Sequence, residues 1–275
     1  MKICFWNIGQ NLTAGKISQI DQLLNEISPD LFCIAEGPRS EADSATLIAS
    51  VTNRAYRCYY GPHFHTNSTL GLDYGWNEFG LKVFIKNGSI GIPPFAYENQ
   101  KLDGRIVHLK QKDVHLFFVH GFSKSGDELK QHDFVSELAG FIRMKLMGNN
   151  SDQIVIIGDF NIEPWEGLLR KRKYIDSHFF KKAFEFHLDR AIDNRYYWNP
   201  ILEYLQTNTN GDLIGSFYNK NFVSLLDFAL CSKNITNPKI EIITRINGTD
   251  LIFRKRISSG VIEDFDHLPI MLDIK

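Results

Sequence analysis

The sequence predicts a single α/β domain, and three observations carry that expectation. Short apolar runs alternate with polar, helix-like segments from one end of the chain to the other. No stretch of Pro, Gly or Ser is long enough to act as a linker between two units of the 275-residue chain. Isolated polar residues fall repeatedly at the ends of the apolar runs. In α/β proteins those ends are where function is grafted, because the sheet holds side chains rigidly while the loops leave room for a ligand.

Taken in order, Lys2–Trp6 is strand-like, and Ile17–Ile27 repeats its apolar residues at helical spacing until Ser28-Pro29 closes it. Leu31–Ala35 is a second, wholly apolar strand, and Ser40–Thr52 reads as a helix. Gly80–Ile85, Arg105–Leu109, Val114–Val119, Ile154–Ile157 and Leu225–Cys231 read as further strands. Lys130–Met147 has the clearest amphipathic pattern, with Phe134, Leu138, Phe141, Ile142 and Leu146 on one face. Ile270–Ile274 is the last strand. The least regular stretch, at about 165–218, is expected to be a variable surface segment within one domain spanning 1–275.

Composition narrows the function. Hydrophobic residues make up 43% and charged residues 23%, enough apolar material for a real core, and the 21 Phe make that core aromatic. The net charge of −1 lacks the basic excess of proteins that neutralise many phosphates at once. Any contact with a polyanion must therefore come from a local patch. The four cysteines, Cys4, Cys33, Cys58 and Cys231, form no CxxC pair and read as buried thiols rather than a disulfide frame or a zinc site. No apolar run reaches the roughly 18 residues of a membrane span. The first residues have a strand pattern rather than an export leader, so the expected compartment is the cytoplasm.

The polar residues at the strand ends form a chemical set. Asn7 follows the first strand, Glu36 the second, His120 the strand Val114–Val119, and Gly158-Asp159-Phe160-Asn161 the strand Ile154–Ile157. Asp227 lies inside an apolar run, where a carboxylate needs a partner or a metal, and Asp266-His267 precede the last strand. Singly, an Asn or Asp after a strand is a turn former and a lone His a capping or core residue. Together they suit one task. Glu36 offers a hard oxygen, and Mg²⁺ takes about one or two protein carboxylates plus water and phosphate. Asp159 is placed to activate a water, Asn7 and Asn161 supply neutral polar contacts, and a His267–Asp227 pair would hold a cationic imidazole on phosphoryl oxygens.

The motifs Phe-Trp-Asn-Ile-Gly (5–9), Pro-Asp-Leu-Phe-Cys-Ile-Ala-Glu (29–36), Phe-Val-His (118–120), Ile-Gly-Asp-Phe-Asn (157–161), Leu-Leu-Asp-Phe-Ala-Leu (225–230) and Asp-His-Leu-Pro-Ile (266–270) occur in this order along the chain. In that order they resemble the endonuclease/exonuclease/phosphatase superfamily, which includes deoxyribonucleases, abasic-site endonucleases, sphingomyelinases, inositol phosphatases and deadenylases. The resemblance implies a four-layer α/β/β/α sandwich of two mixed, mainly antiparallel sheets flanked by helices, and a metal-dependent hydrolase. It implies Glu36 as the main Mg²⁺ ligand, with Mn²⁺ able to substitute, Asn7 beside it and Asp266 at the metal or its waters. It implies Asp159 and Asn161 at the nucleophile and scissile phosphate, His267 oriented by Asp227 on the phosphate, and His120 as a second catalytic histidine. By the same match, Glu78 would back His120.

Three positions depart from the family pattern. Gly9 stands where many members carry Asp or Asn, Ala35 where Gln precedes the catalytic Glu, and Phe265 where many have Ser. Arg39 would contact phosphate or pair with Glu41, and the basic run 170–173 would track a nucleic-acid backbone or form a solvated helix face. The substrate expected is a phosphate ester, a nucleic acid or nucleotide first. A phosphomonoester or lipid phosphodiester is the second reading, and a silent binding fold the third.

Overall fold

The structure is a computed structural model, and it describes residues 1–10, 12–38, 40–60, 80–89, 96–98, 104–123, 128–145, 153–170, 175, 177–178, 197–207, 215–219, 222–251 and 266–275. Its first sheet is built on β1 (Lys2–Asn7) and β2 (Leu31–Ala35), which are parallel. A parallel pair needs a crossover, and α1 (Ala14–Glu26) supplies it. Thr13 caps α1 by accepting from the Lys16 amide, so the helix begins before the Ile17 at which the apolar spacing starts. Ser40 caps α2 (Glu41–Thr52) in the same way through the Asp43 amide. Then come β3 (Tyr56–Tyr60) and β4 (Lys82–Lys86).

The second sheet starts with β5 (Ala96–Glu98), β6 (Ile106–Gln111) and β7 (Val114–His120). Helix α3 (Glu128–Lys145) carries the chain across to β8 (Gln153–Asp159), which lies parallel to β7. A short turn of helix, α4 (Gly167–Arg170), leads to β9 (Ser177–His178) and β10 (Tyr197–Trp198). After α5 (Ile201–Thr207) the hairpin β11 (Phe217–Asn219)–β12 (Phe222–Ser224) precedes β13 (Asp227–Ser232). The chain then returns to the first sheet through β14 (Lys239–Ile242), a small hairpin β15 (Arg245–Ile246)–β16 (Thr249–Asp250), and β17 (Ile270–Asp273).

Among the described residues the strand orders are β14-β17-β1-β2-β4-β3 and β5-β6-β7-β8-β13-β10-β9. Both sheets are mixed and mainly antiparallel, and β1 lies against β8 where they face each other. Helices α1 and α2 pack together on the outside of the first sheet, and α3 covers the second, giving the four layers expected. The central strand β2 is buried at every residue, which explains its unbroken apolar run in sequence. No described helix is long and apolar enough to cross a membrane. Arg39, Glu78 and the side chains of the basic run 170–173 lie outside what the structure describes.

Under α3 the second sheet buries two histidines. His108 Nε2 lies 3.0 Å from His115 Nδ1, and the His108 ring is stacked between those of His115 and Phe117, with Phe141 of α3 against its edge. Burial first, then the positive charges of His115, Lys145 and Lys110, hold the His108 imidazole down at about 3. An unfolded histidine takes a proton below about 6.5, whereas the folded one refuses it, so acid favours the unfolded chain. Melting temperature should therefore fall as pH drops from about 6.5 toward 3, and His108→Phe should flatten that fall; parallel melting curves for the two proteins would refute the assignment.

Candidate active site

The two sheets face each other through their central strands, and six of the sequence-predicted residues stand on or just beyond the ends of those strands. In the second sheet, β8 continues two residues further than its apolar run Ile154–Ile157, to Asp159, because both neighbours keep pairing with it. Asp159 is opposite Asp227 of β13 on one side and His120 of β7 on the other. Asp227 opens its strand rather than sitting within it. The close approach of β7 and β8 requires Gly158, since a Cβ there would overlap the Val119 carbonyl oxygen. Behind the strand ends the Phe160 and Phe228 rings stack 4.1 Å apart, fixing the turn that carries Asn161.

That turn folds back on Asp159. The Asn161 amide donates to Asp159 Oδ1 at 2.8 Å, and its side-chain Nδ2 donates to Oδ2 at 3.1 Å. Asn161 reaches this position at φ 51°, a left-handed conformation that Asn tolerates better than most side chains. Asn7 adds a third donor from the opposite sheet, Nδ2 to Asp159 Oδ2 at 2.9 Å. The Asn7 side chain is oriented by the Gly9 amide, which donates to its Oδ1 at 3.0 Å. Asp159, with no exposed surface, thus accepts three hydrogen bonds.

Glu36, one residue past β2, joins the same network. Its Oε1 accepts from Asn7 Nδ2 at 3.2 Å and lies 3.5 Å from His120 Nε2. Burial alone would raise the Glu36 pKa, but the hydrogen bond and charge of His120, the Asn7 amide and the charge of His267 bring it down to about 2. Its side chain keeps 22% of its surface open, so an ionised oxygen faces solvent at the mouth of the site.

His267 closes the other side. Its Nδ1 is 2.8 Å from Asp227 Oδ2, and its Nε2 is 3.8 Å from Asp159 Oδ2. The His267 main chain is held by Trp6, whose indole N–H donates to its carbonyl at 3.0 Å, and the ring is flanked by the Phe217 ring at 4.7 Å. Ser216 Oγ accepts the Leu226 and Asp227 amides, which fixes the start of β13. Burial opposes charge on His267, but Asp227 and Asp159 outweigh it and raise the imidazole to about 10.

Asp159, Asp227 and His267 place ligand atoms within 4.8 Å of one another, a spacing that fits a metal ion. Chemistry argues against that use. Both Asp159 oxygens already accept amide donors, and the 2.8 Å contact of His267 Nδ1 with Asp227 Oδ2 is a hydrogen bond. A hard divalent cation fits better on the Glu36 side, where an ionised carboxylate oxygen is accessible beside Asn7. Asp266 is exposed on the segment entering β17, and its Oδ1 lies 3.9 Å from where a Cβ of Gly9 would stand.

The network therefore joins Asn7, Glu36, His120, Asp159, Asn161, Asp227 and His267. Two buried lysines beside it were not anticipated. Lys16 donates to the Ile8 carbonyl at 2.6 Å, and Lys82 to the Glu36 carbonyl at 2.9 Å. Lys82 carries the same signal that singled out Asp227, a charge inside the apolar run Gly80–Ile85.

The sequence profile of the Endonuclease/Exonuclease/phosphatase family matches residues 4–250 of this chain. No curated protein matches it in sequence. Similar solved structures include a 3′-5′ exonuclease from Neisseria meningitidis, with 14% identity, TM-score 0.58 and full coverage of both chains. The human Nocturnin catalytic domain with bound sulfate is similar at 14% identity and TM-score 0.61, over 100% of this chain and 94% of that one. A mannosyl-6-phosphatase from Bacteroides thetaiotaomicron matches at 11% identity and TM-score 0.59, over 100% and 99%.

Proposed function

The chain belongs to the endonuclease/exonuclease/phosphatase family, and on that premise we propose that it is a Mg²⁺-dependent phosphoesterase acting on a nucleic acid or nucleotide. The observation that carries this reading is the hydrogen-bonded network in which Asp159 lies between Asn7, Asn161 and His267, with ionised Glu36 at its open edge. Mg²⁺, or Mn²⁺ in its place, would be held by Glu36 with Asn7 and Asp266, and would supply polarisation of the phosphate and stabilisation of the leaving oxygen.

The chain's own groups do the rest. Asp159 accepts a proton from the attacking water as its oxygen bonds to phosphorus. Asn161 and Asn7 fix the Asp159 carboxylate, so its lone pair is oriented before substrate arrives. The His267 imidazolium, held by Asp227, lies where negative charge grows on the phosphoryl oxygens. His120 adds a second imidazole beside Glu36. The P–O bond then breaks, its electrons leave on the ester oxygen, and that oxygen takes a proton from solvent.

A phosphomonoesterase is the second reading, favoured by a net charge of −1, which suits a small phosphorylated substrate better than a long polyanion. The three cysteines buried as free thiols, Cys4, Cys33 and Cys231, suit a reducing cytoplasm.

The test is a panel of DNA, RNA, dinucleotides, bis-p-nitrophenyl phosphate, sugar phosphates and sphingomyelin, each with Mg²⁺, Mn²⁺ or EDTA. Hydrolysis should require the metal, and Glu36→Gln should lower kcat by about 100-fold or more while raising the Mg²⁺ needed. Activity that persists in EDTA, or in Glu36→Gln at wild-type metal demand, would refute the reading.

A further inference from the structure

Lys82 lies in β4, between β2 and β3 in the first sheet, and has no exposed surface. Its neighbours along the strand, Leu81, Val83 and Phe84, are buried apolar residues. A buried ammonium is costly unless its protons are satisfied. Here Nζ donates to the Glu36 carbonyl at 2.9 Å and reaches the Gly80 carbonyl at 3.4 Å. Nζ lies close to the next residue as well, since a Cβ on Gly37 would stand 2.8 Å from it.

The carbonyl that Lys82 holds belongs to a strained residue. Glu36 sits at φ 58°, in the left-handed region, where a side chain other than Gly, Asn or Asp is uncommon. Such a conformation persists only when its surroundings over-determine it. β2 ends at Ala35, so the ladder no longer fixes Glu36, and its carboxylate is left pointing at Asn7 and His120. The Lys82 contact pulls the main chain inward while the carboxylate faces the site.

We propose that Lys82 is a positioning residue, a buried ammonium clamp on the main-chain oxygen of Glu36 that sets the carboxylate for a divalent cation. This rests on the reading of Glu36 as a metal ligand. The clamp works through the carbonyl alone, so it touches neither substrate nor metal.

Lys82→Met keeps an unbranched stem out to the ε position and removes Nζ with its charge and donors. Relief of the buried charge is offset by the Glu36 and Gly80 carbonyls losing their donor, so the metal-free variant should melt close to the wild-type temperature. Its affinity for Mn²⁺, read by calorimetry, should nevertheless fall about tenfold or more, the scale seen when a group behind a metal ligand is lost. Lys82→Arg keeps a cationic donor but forces a bulkier group into the buried site, so its affinity should lie between those of Lys82→Met and wild type. In the metal-free protein the backbone amides of Glu36 and Gly37 should have rigid order parameters near ~0.85 in wild type, dropping in Lys82→Met.

Unchanged order parameters, or Mn²⁺ affinity equal to wild type in a folded Lys82→Met, would overturn the clamp. If Lys82→Met does not fold, Lys82→Gln is put through the same measurements. Loosened Glu36 amides in a protein whose wild type neither binds Mn²⁺ nor hydrolyses a phosphate ester would leave the clamp standing and refute the phosphoesterase reading instead.

Discussion

Asp159→Asn should lower kcat on a phosphodiester by about 10³- to 10⁴-fold, the upper part of the range for loss of a general base. The substitution is close to isosteric, yet the surroundings forbid it to be silent. Oδ1 accepts the Asn161 amide, and Oδ2 accepts two side-chain amides, from Asn7 and Asn161. An asparagine must turn its own NH₂ toward one of those sets, placing donor against donor. The misplaced group should cost about 1–3 kcal/mol of stability, the usual scale for an unsatisfied buried donor. The assay therefore belongs well below the melting temperature of the variant, with saturating Mg²⁺. Turnover within tenfold of wild type would show that another group takes the proton from water.

Asp227→Asn and His267→Ala should each reduce kcat by about 10²- to 10³-fold, the scale of losing one preorganised stabiliser of transition-state charge. The two residues act as one unit, because Asp227 Oδ2 holds Nδ1 at 2.8 Å and so decides which way the ring faces. Removing both should thus be hardly worse than removing one, as found wherever residues share a single role. A double variant whose loss is the product of the two single losses would mean that Asp227 serves something other than His267. The metal requirement should stay near that of wild type in Asp227→Asn, since the Glu36–Asn7–His120 contacts lie on the far side of Asp159.

Much of this framework is legible in the sequence for one reason: central strands of a sandwich are buried on both faces. Leu31–Ala35 and Ile154–Ile157 are unbroken apolar runs because every one of their residues is covered. The polar residue ending each run stands out by contrast, which is how Glu36 and Asp159 become visible. Edge elements give no such signal. β14 alternates exposed and buried residues over only Lys239–Ile242, and β9 is two residues long. Helix α1 begins before its apolar spacing does, because a Thr13 cap rather than periodicity sets its start. The motif order suggests which residues meet, but not that Asn7 would bridge Glu36 and Asp159 at 3.2 and 2.9 Å. Lys82 escapes notice because a lysine in a strand ordinarily faces water. Its burial follows from a place in the middle of a sheet that only the pairing of β4 with β2 and β3 reveals.

The two sheets are joined at the site by contacts that cross between them, Asn7 with Asp159 and Glu36 with His120. Each sheet can complete its own hydrogen-bonded ladder without the other, but neither holds a working set of groups alone. During refolding, a chain with formed yet undocked layers would have the circular dichroism of the native state and no turnover. Recovery of hydrolysis is thus a clock for the final docking event, separable in a stopped-flow trace from the earlier growth of secondary structure.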